Sequence, residues 1–136
     1  EPMIAPMAFD NQALGRILGA HTKVIEGSDG FWHIEFQSRL LTIITDEFHD
    51  RMRVIAPIIE AKDVDSDLAM TLLQSNFDRA LDARYAMTDD YLWSAFIHPL
   101  SPLSEPQVLS AIRQVATLAD NFGSSFSSGE LTFGGS

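Results

Sequence analysis

The spacing of apolar residues in the second half of the chain predicts one amphipathic helix followed directly by a β-hairpin. Residues at intervals of three and four positions mark one face of a helix over 66–81, and they are Ala69, Leu72, Leu73, Asn76, Phe77 and Ala80. Two runs of strand-forming residues follow, over 84–87 and 91–98, and the turn residues 88–90 separate them. We expect the helix and the hairpin to form one unit around which the rest of the chain is organised.

Alternation of apolar and polar residues predicts three adjacent strands upstream of this helix, over 31–37, 40–45 and 52–59. The apolar side chains of the first of these strands are predicted to face the core, and they are Trp32, Ile34 and Phe36. Pro57 lacks the backbone N–H of a strand interior, so it predicts an edge position or a bulge. The glycine-containing residues 26–30 are predicted to form a joint before the first strand.

Helices are also predicted near both ends of the chain. Asp10 is a candidate cap for the first helix, whose apolar positions are Ala13, Leu14, Ile17 and Leu18. Ser104 and Gln107 form a capping box for the last helix, which is predicted to end at Gly123. Residues 124–136 are rich in Ser and Gly and are predicted to form a flexible tail, unless an apolar side chain docks, the candidates being Phe126, Leu131 and Phe133.

These elements define a fold class. Their order is helix, three strands, helix, two strands, helix, and the short connections predict antiparallel pairing of neighbouring strands. We therefore expect an α+β fold in which one antiparallel sheet packs against helices. The 136 residues, 46% of them hydrophobic with a mean hydropathy of +0.03, fit a single domain with its core over about 10–122.

Charge narrows the classes of partner. The chain has 19 acidic and 9 basic residues, a formal net charge of -10, which repels nucleic acid and anionic lipid. It has no cysteine, which agrees with a reducing compartment, and no apolar run long enough to span a membrane. We expect a soluble cytoplasmic protein with no nucleic-acid or membrane partner.

The polar residues give no clear sign of catalysis. Metal-type ligands cluster only at Asp46, Glu47, His49 and Asp50, and their spacing matches neither a calcium loop nor a helical zinc motif, so a solvated hairpin loop is expected. An enzyme would have to recruit isolated residues, and these are His33, His98, Asp46, Glu47, Asp89 and Asp90. We predict that the protein is not an enzyme and that it uses no metal or cofactor.

Four segments resemble a known family. They are Trp32-His33-Ile34, residues 51–58, Leu73-Gln74-Ser75-Asn76-Phe77 and residues 85–93. Together with the order of elements, the size and the acidity, they resemble the type III secretion chaperone-like fold, which includes the Tir chaperones and related bacterial proteins assigned as sensory-transduction regulators. The resemblance implies a non-enzymatic homodimer that holds a partner polypeptide, as secretion chaperones hold an extended segment in apolar grooves.

Two apolar surfaces are predicted for such binding. The helix over 66–81 and the strand over 91–98 carry more apolar residues than one sheet under three helices can cover, so we predict a dimer or partner interface at Leu73, Phe77, Tyr91, Trp93 and Ala95. A partner groove is predicted on the first helix at Leu14, Ile17 and Leu18. Two alternatives stay open, a monomer in which the last helix and the tail cover the surplus apolar face, and a regulatory or ligand-sensing module with a closed apolar pocket.

Overall fold

The computed structural model describes residues 8–129, which form three α-helices and one six-stranded antiparallel sheet. In chain order the elements are α1 (Asn11–His21), β1 (Lys23–Ser28), β2 (Phe31–Phe36), β3 (Arg39–Asp46), β4 (Arg51–Glu60), α2 (Ser66–Asp78), β5 (Arg84–Met87), β6 (Tyr91–Pro99) and α3 (Glu105–Asp120). A single 3₁₀ turn, Ala61–Asp63, joins β4 to α2. The predicted α+β class is confirmed.

The sheet has one strand more than the sequence predicted. Its strand order is β1-β2-β3-β4-β6-β5, and β1 occupies an edge where a joint was expected. Every residue of β1 is exposed. No buried face therefore requires the alternation of apolar and polar residues by which a strand is recognised in a sequence. The strand exists because it pairs with β2, where Ser28 lies opposite Phe31. Gly27 permits this pairing, because a Cβ atom there would lie 2.8 Å from the ring of Trp32.

The helices α1 and α3 have the predicted caps, and α2 is capped by Asp65. The side chain of Asp10 accepts a hydrogen bond from Ala13 N at 2.9 Å, and that of Asp65 accepts one from Leu68 N at 2.8 Å. Ser104 caps α3. The helix α2 ends at Asp78, three residues before the predicted end at position 81.

All three helices pack against one face of the sheet. Trp32 and Ile34 of β2 are buried in this core and Phe36 is partly buried against it, which confirms the predicted facing of that strand. The helix α3 crosses β4 and β6, α1 lies against β1, and α2 lies against β5. Pro57 marks an interruption of the β4–β6 register, so the predicted bulge is confirmed and β4 is an interior strand. None of the helices in residues 8–129 is long and apolar enough to cross a membrane.

Residues after α3 also pack on the domain. Asn121 Nδ2 donates to the carbonyl of Ser127 at 2.8 Å, and Phe126 packs edge-on against Tyr85 and Phe122. Ser127 and Ser128 are buried. The predicted flexible tail is therefore docked as far as residue 129, through the Phe126 contact that the sequence allowed. Leu131 and Phe133 lie outside the described residues.

The β3–β4 turn is joined to the connector before α3 by one carboxylate. Asp50 accepts hydrogen bonds from Ser101 Oγ and from Ser101 N, both at 2.7 Å. These bonds, the hydroxyl bond first, hold the pKa of Asp50 below its ordinary value. The charged carboxylate is thus the form that the folded state stabilises.

We expect Ser101→Ala to lower the melting temperature at neutral pH and to lose this effect in acid. Because the folded-state pKa of Asp50 is depressed, its contribution is complete above the unfolded-state pKa of about 3.9 and disappears as the pH falls through the folded-state value. Thermal melts of the wild type and the variant from neutral pH downward measure this, with Ser28→Ala on the exposed strand β1 as control. A difference in melting temperature that stays constant over the whole pH range would contradict it.

Candidate functional site

The helix α2 exposes a stripe of large apolar side chains on the side away from the core. Met70, Leu73 and Phe77, here called the α2 stripe, are 55%, 64% and 82% exposed. Their spacing of three and four places them on one face of the helix. The opposite face packs inward through Leu72 and Ser75, which are buried. The sequence pattern had placed Leu72, Leu73 and Phe77 on one face, and the structure divides them between core and surface.

An apolar groove lies between the α2 stripe and the sheet. Its volume is about 240 Å³, and it runs between α2 and the edge strand β5. Its lining residues are Ala69, Leu72, Leu73, Asn76, Tyr85, Ala86, Met87 and Leu92. All but Asn76 and Tyr85 carry wholly apolar side chains, so this groove offers hydrophobic contact and few polar groups.

The side-chain amide of Asn76 closes the edge of β5 beside this groove. Its oxygen accepts a hydrogen bond from Tyr85 N at 2.8 Å, and its nitrogen donates to Tyr85 O at 3.0 Å. The amide thereby takes the place that the backbone of another strand would take at this residue. The hydroxyl of Tyr85 donates a hydrogen bond to Leu118 O of α3, which fixes the position of the ring. Burial raises the pKa of that hydroxyl. A partner at this groove therefore meets side chains and not free backbone groups of Tyr85.

The predicted residues of β6 continue this surface onto the side of the sheet that carries no helix. Trp93 lies opposite Ala86 of β5, and its ring packs edge-on against Tyr91 with ring centroids 5.7 Å apart. Trp93 Nε1 donates to Thr88 Oγ1 at 2.9 Å, which orients the indole. Tyr91 is exposed and Trp93 is half-buried, whereas Ala95 is buried among its strand neighbours. The structure thus places Leu73, Phe77, Tyr91 and Trp93 at the surface and Ala95 beneath it; their role in an interface stays a prediction.

The predicted groove on α1 is not open in the described structure. Leu14 and Leu18 are fully buried and Ile17 is nearly so, because α1 uses this face to pack on the sheet. These three side chains are part of the hydrophobic core and offer no surface to a partner.

A different groove of about 460 Å³ lies beside α1, against the edge strand β1. Gly15 and Gly19 of α1 and Gly27 of β1 keep it open, and Trp32 forms part of its floor. Sequence reasoning missed this groove because it missed β1. The pair of glycines four residues apart in α1 was the signal that pointed to it, since glycine disfavours a helix and suggests that another element passes close by.

The titratable residues considered for catalysis do not converge within residues 8–129. Asp46 accepts a hydrogen bond from His49 Nδ1 at 2.7 Å in the β3–β4 turn, and this bond holds the pKa of Asp46 below its ordinary value. His33 bonds to Thr42 on the helix-free face, and His98 bonds to the carbonyl of Pro99. In the same part of the chain no group of three or more His, Asp or Glu side chains is arranged to hold a metal ion. These side chains act locally, within their own turns and strands.

Solved structures include chains whose fold is similar to that of this protein. The chain is similar to a chain in the structure of the HopA1–SchA chaperone–effector complex, with a TM-score of 0.55, over 87% of this chain and 80% of that one. The fold is type III chaperone-like. Sequence identity in this comparison is 14%, so the likeness is one of fold. No protein-family model and no curated protein matches the sequence.

The chaperone-like fold accounts for the segments on which the family resemblance rested. Trp32-His33-Ile34 lies in β2, residues 51–58 lie in β4, residues 73–77 lie in α2, and residues 85–93 span the β5–β6 hairpin. All four segments are part of the sheet or of the helix beside it, so they report architecture.

Proposed function

We propose that this protein is a non-enzymatic polypeptide-binding module that works as an acidic homodimer in the cytoplasm, in the manner of a secretion chaperone. The observation that carries the proposal is the α2 stripe, three large apolar side chains exposed side by side on a helix whose other face is buried. Soluble proteins rarely leave such side chains together in water unless a partner covers them.

A second copy of the chain is the partner that we assign to the α2 stripe. Two α2 helices related by a twofold axis would bury Leu73 and Phe77 against their counterparts, and the same patch would serve both subunits. The groove of about 240 Å³ beside the stripe provides a place for an inserted side chain such as Phe77 of the other subunit. Tyr91 and Trp93 extend the apolar area beyond α2.

The likeness to a chaperone–effector complex supports a polypeptide as the further partner. The neighbouring structure contains a chaperone bound to a protein effector, and the present chain shares its fold over most of its length. A net charge of -10 disfavours polyanionic partners such as nucleic acid. A closed apolar pocket, which the ligand-sensing alternative needs, has no support in the region between helices and sheet, where Leu18, Ile34 and Ile112 are fully buried in one continuous core.

Two measurements test this proposal. Light scattering of the purified protein should give about twice the chain mass of 15.1 kDa at micromolar concentration. Purification from the native cell, followed by mass spectrometry, should then recover a polypeptide bound in stoichiometric amount. Phe48→Asp replaces a 90%-exposed phenylalanine in the β3–β4 turn, outside the α2 stripe. This control variant should keep the dimeric mass and the bound polypeptide. A monomeric mass with no bound polypeptide would refute the proposal.

A further inference from the structure

A recess of about 320 Å³ lies where the end of β6 meets the start of β5 and the first half of α3. Strand β5 begins at Arg84, opposite Ala95, so in the described part of the chain the last residues of β6 have no neighbouring strand on that side. The connector before α3 and the helix itself form the other wall. We call this space the β6 recess, and the residues that matter in it are Asp82, Arg84, Phe96, His98, Leu103 and Ser110.

The guanidinium group of Arg84 is held in place by the end of α2. Its Nη1 donates to the carbonyl oxygens of Asn76 and Ala80, at 3.1 Å each. The same nitrogen donates to Leu81 O at 2.5 Å, and a cation stabilises the carbonyls at a helix end. Its Nε and Nη2 have no acceptor and no ion-pair partner within residues 8–129. These two N–H groups form the side of the guanidinium that binds both oxygens of a carboxylate.

Asp82 brings a negative charge to the same recess. Its Oδ2 accepts a hydrogen bond from Gln114 Nε2 of α3 at 3.3 Å. Only one residue separates Asp82 from Arg84, yet they form no ion pair with each other or with any other residue of the described range. The end of α2 holds the guanidinium and α3 holds the carboxylate, so two opposite charges face one recess without neutralising each other.

Two neutral polar groups in the recess also have bonding capacity left. Ser110 Oγ accepts from Gln114 Nε2 at 3.0 Å, and its own O–H has no acceptor in the part of the chain that the structure describes. His98 Nδ1 donates to Pro99 O at 2.7 Å, so Nε2 of the neutral ring is an acceptor, and no described residue donates to it. The recess thus offers a second donor and a second acceptor besides the two charged groups.

We propose that the β6 recess binds a free α-amino acid with an apolar side chain. The ammonium group of the ligand contacts Asp82, and its carboxylate binds Nε and Nη2 of Arg84. Its side chain packs on the apolar wall formed by Phe96 and Leu103. This site goes beyond the proposed function, because it takes a small molecule and lies outside the α2 stripe and its groove.

Other classes of ligand match this recess less well. A polypeptide carries its ammonium and its carboxylate at opposite ends, so one bound segment does not bring both charges to the same place. A polyanion meets the carboxylate of Asp82 and the net charge of -10. A wholly apolar ligand covers both charged groups without giving either a partner, which costs free energy. A free amino acid carries the two complementary charges on one carbon atom.

Isothermal titration calorimetry of the full chain with L-leucine, up to about 10 mM, tests this proposal. One molecule should bind per chain. Three analogues should each bind at least about tenfold more weakly: L-leucine amide, which lacks the carboxylate, N-acetyl-L-leucine, which lacks the ammonium charge, and glycine, which lacks the apolar side chain. These comparisons leave the protein unchanged, so they do not depend on the folding of a variant.

Asp82→Asn should weaken binding of L-leucine by about tenfold or more, because it removes the negative charge and keeps the size of the side chain. The matched control, Asp89→Asn, makes the same change at an exposed position in the β5–β6 turn and should alter the affinity less than about twofold. Arg84→Gln should also lose affinity, and circular dichroism checks its fold because Arg84 supports the end of α2.

Three outcomes would overturn this inference. They are no binding of L-leucine at about 10 mM, equal binding of L-leucine amide, and unchanged affinity in Asp82→Asn. Equal binding of the amide would mean that the recess recognises an amine alone. None of these outcomes alters the light-scattering mass or the recovery of a bound polypeptide, so failure of this inference and failure of the proposed function are distinguished.

Discussion

Replacing Phe77 by Asp is expected to convert the protein from a dimer to a monomer. Burial of one large apolar side chain contributes about 1.5–3 kcal/mol, and a twofold contact contains two copies of it, so each dimer should lose about 3–6 kcal/mol. The dissociation constant should then rise by roughly 10²- to 10⁴-fold. Light scattering at micromolar concentration should show the mass fall from about twice the chain mass to 15.1 kDa.

The exposure of Phe77 makes this variant a clean test. The side chain is 82% exposed in the single chain, so its replacement removes little from the core and should leave the melting temperature of the monomer nearly unchanged. Phe48→Asp introduces the same charge at a 90%-exposed phenylalanine in a turn and should stay dimeric. If both variants keep the dimeric mass, α2 is not the interface.

Replacing Leu18 by Ala is expected to destabilise the fold and to have no selective effect on binding. Leu18 is fully buried between α1 and the sheet, so the change should lower the free energy of unfolding by about 2–5 kcal/mol. Denaturant unfolding measures this loss. The control, Leu40→Ala, truncates a leucine that is 60% exposed on β3 and should cost about 0.5 kcal/mol or less.

Leu18→Ala also tests the groove that the sequence predicted on α1. If Leu18 lined a partner groove, its truncation would weaken partner binding and leave the unfolding free energy close to that of the wild type. The structure predicts the opposite order of effects, a large loss of stability and unchanged affinity in the fraction that remains folded.

Local rules account for much of the predicted fold. The caps at Asp10 and Ser104 were correctly predicted, because an N-cap depends on a few neighbouring residues. The inward facing of Trp32 and Ile34 was also correct, since a strand with one buried face must alternate. The bulge at Pro57 follows from a backbone that lacks a donor.

The missed features depend on neighbours that are distant in sequence. The strand β1 has no buried residue, and it forms because β2 offers its edge.

The sequence by itself determined the order of the helices and of every strand but β1, the turns between most of them and the surplus of apolar residues in α2 and β6, since each depends on composition and period along the chain. Only the tertiary structure decided which of these apolar residues are exposed. Leu72 and Leu73 are equivalent to the helical pattern, yet one is buried and the other is 64% exposed, because β5 lies on one side of α2 alone. Leu14 and Leu18 were assigned to a surface and became core for the same reason: burial is a property of what packs against a side chain, and packing is set by the whole fold.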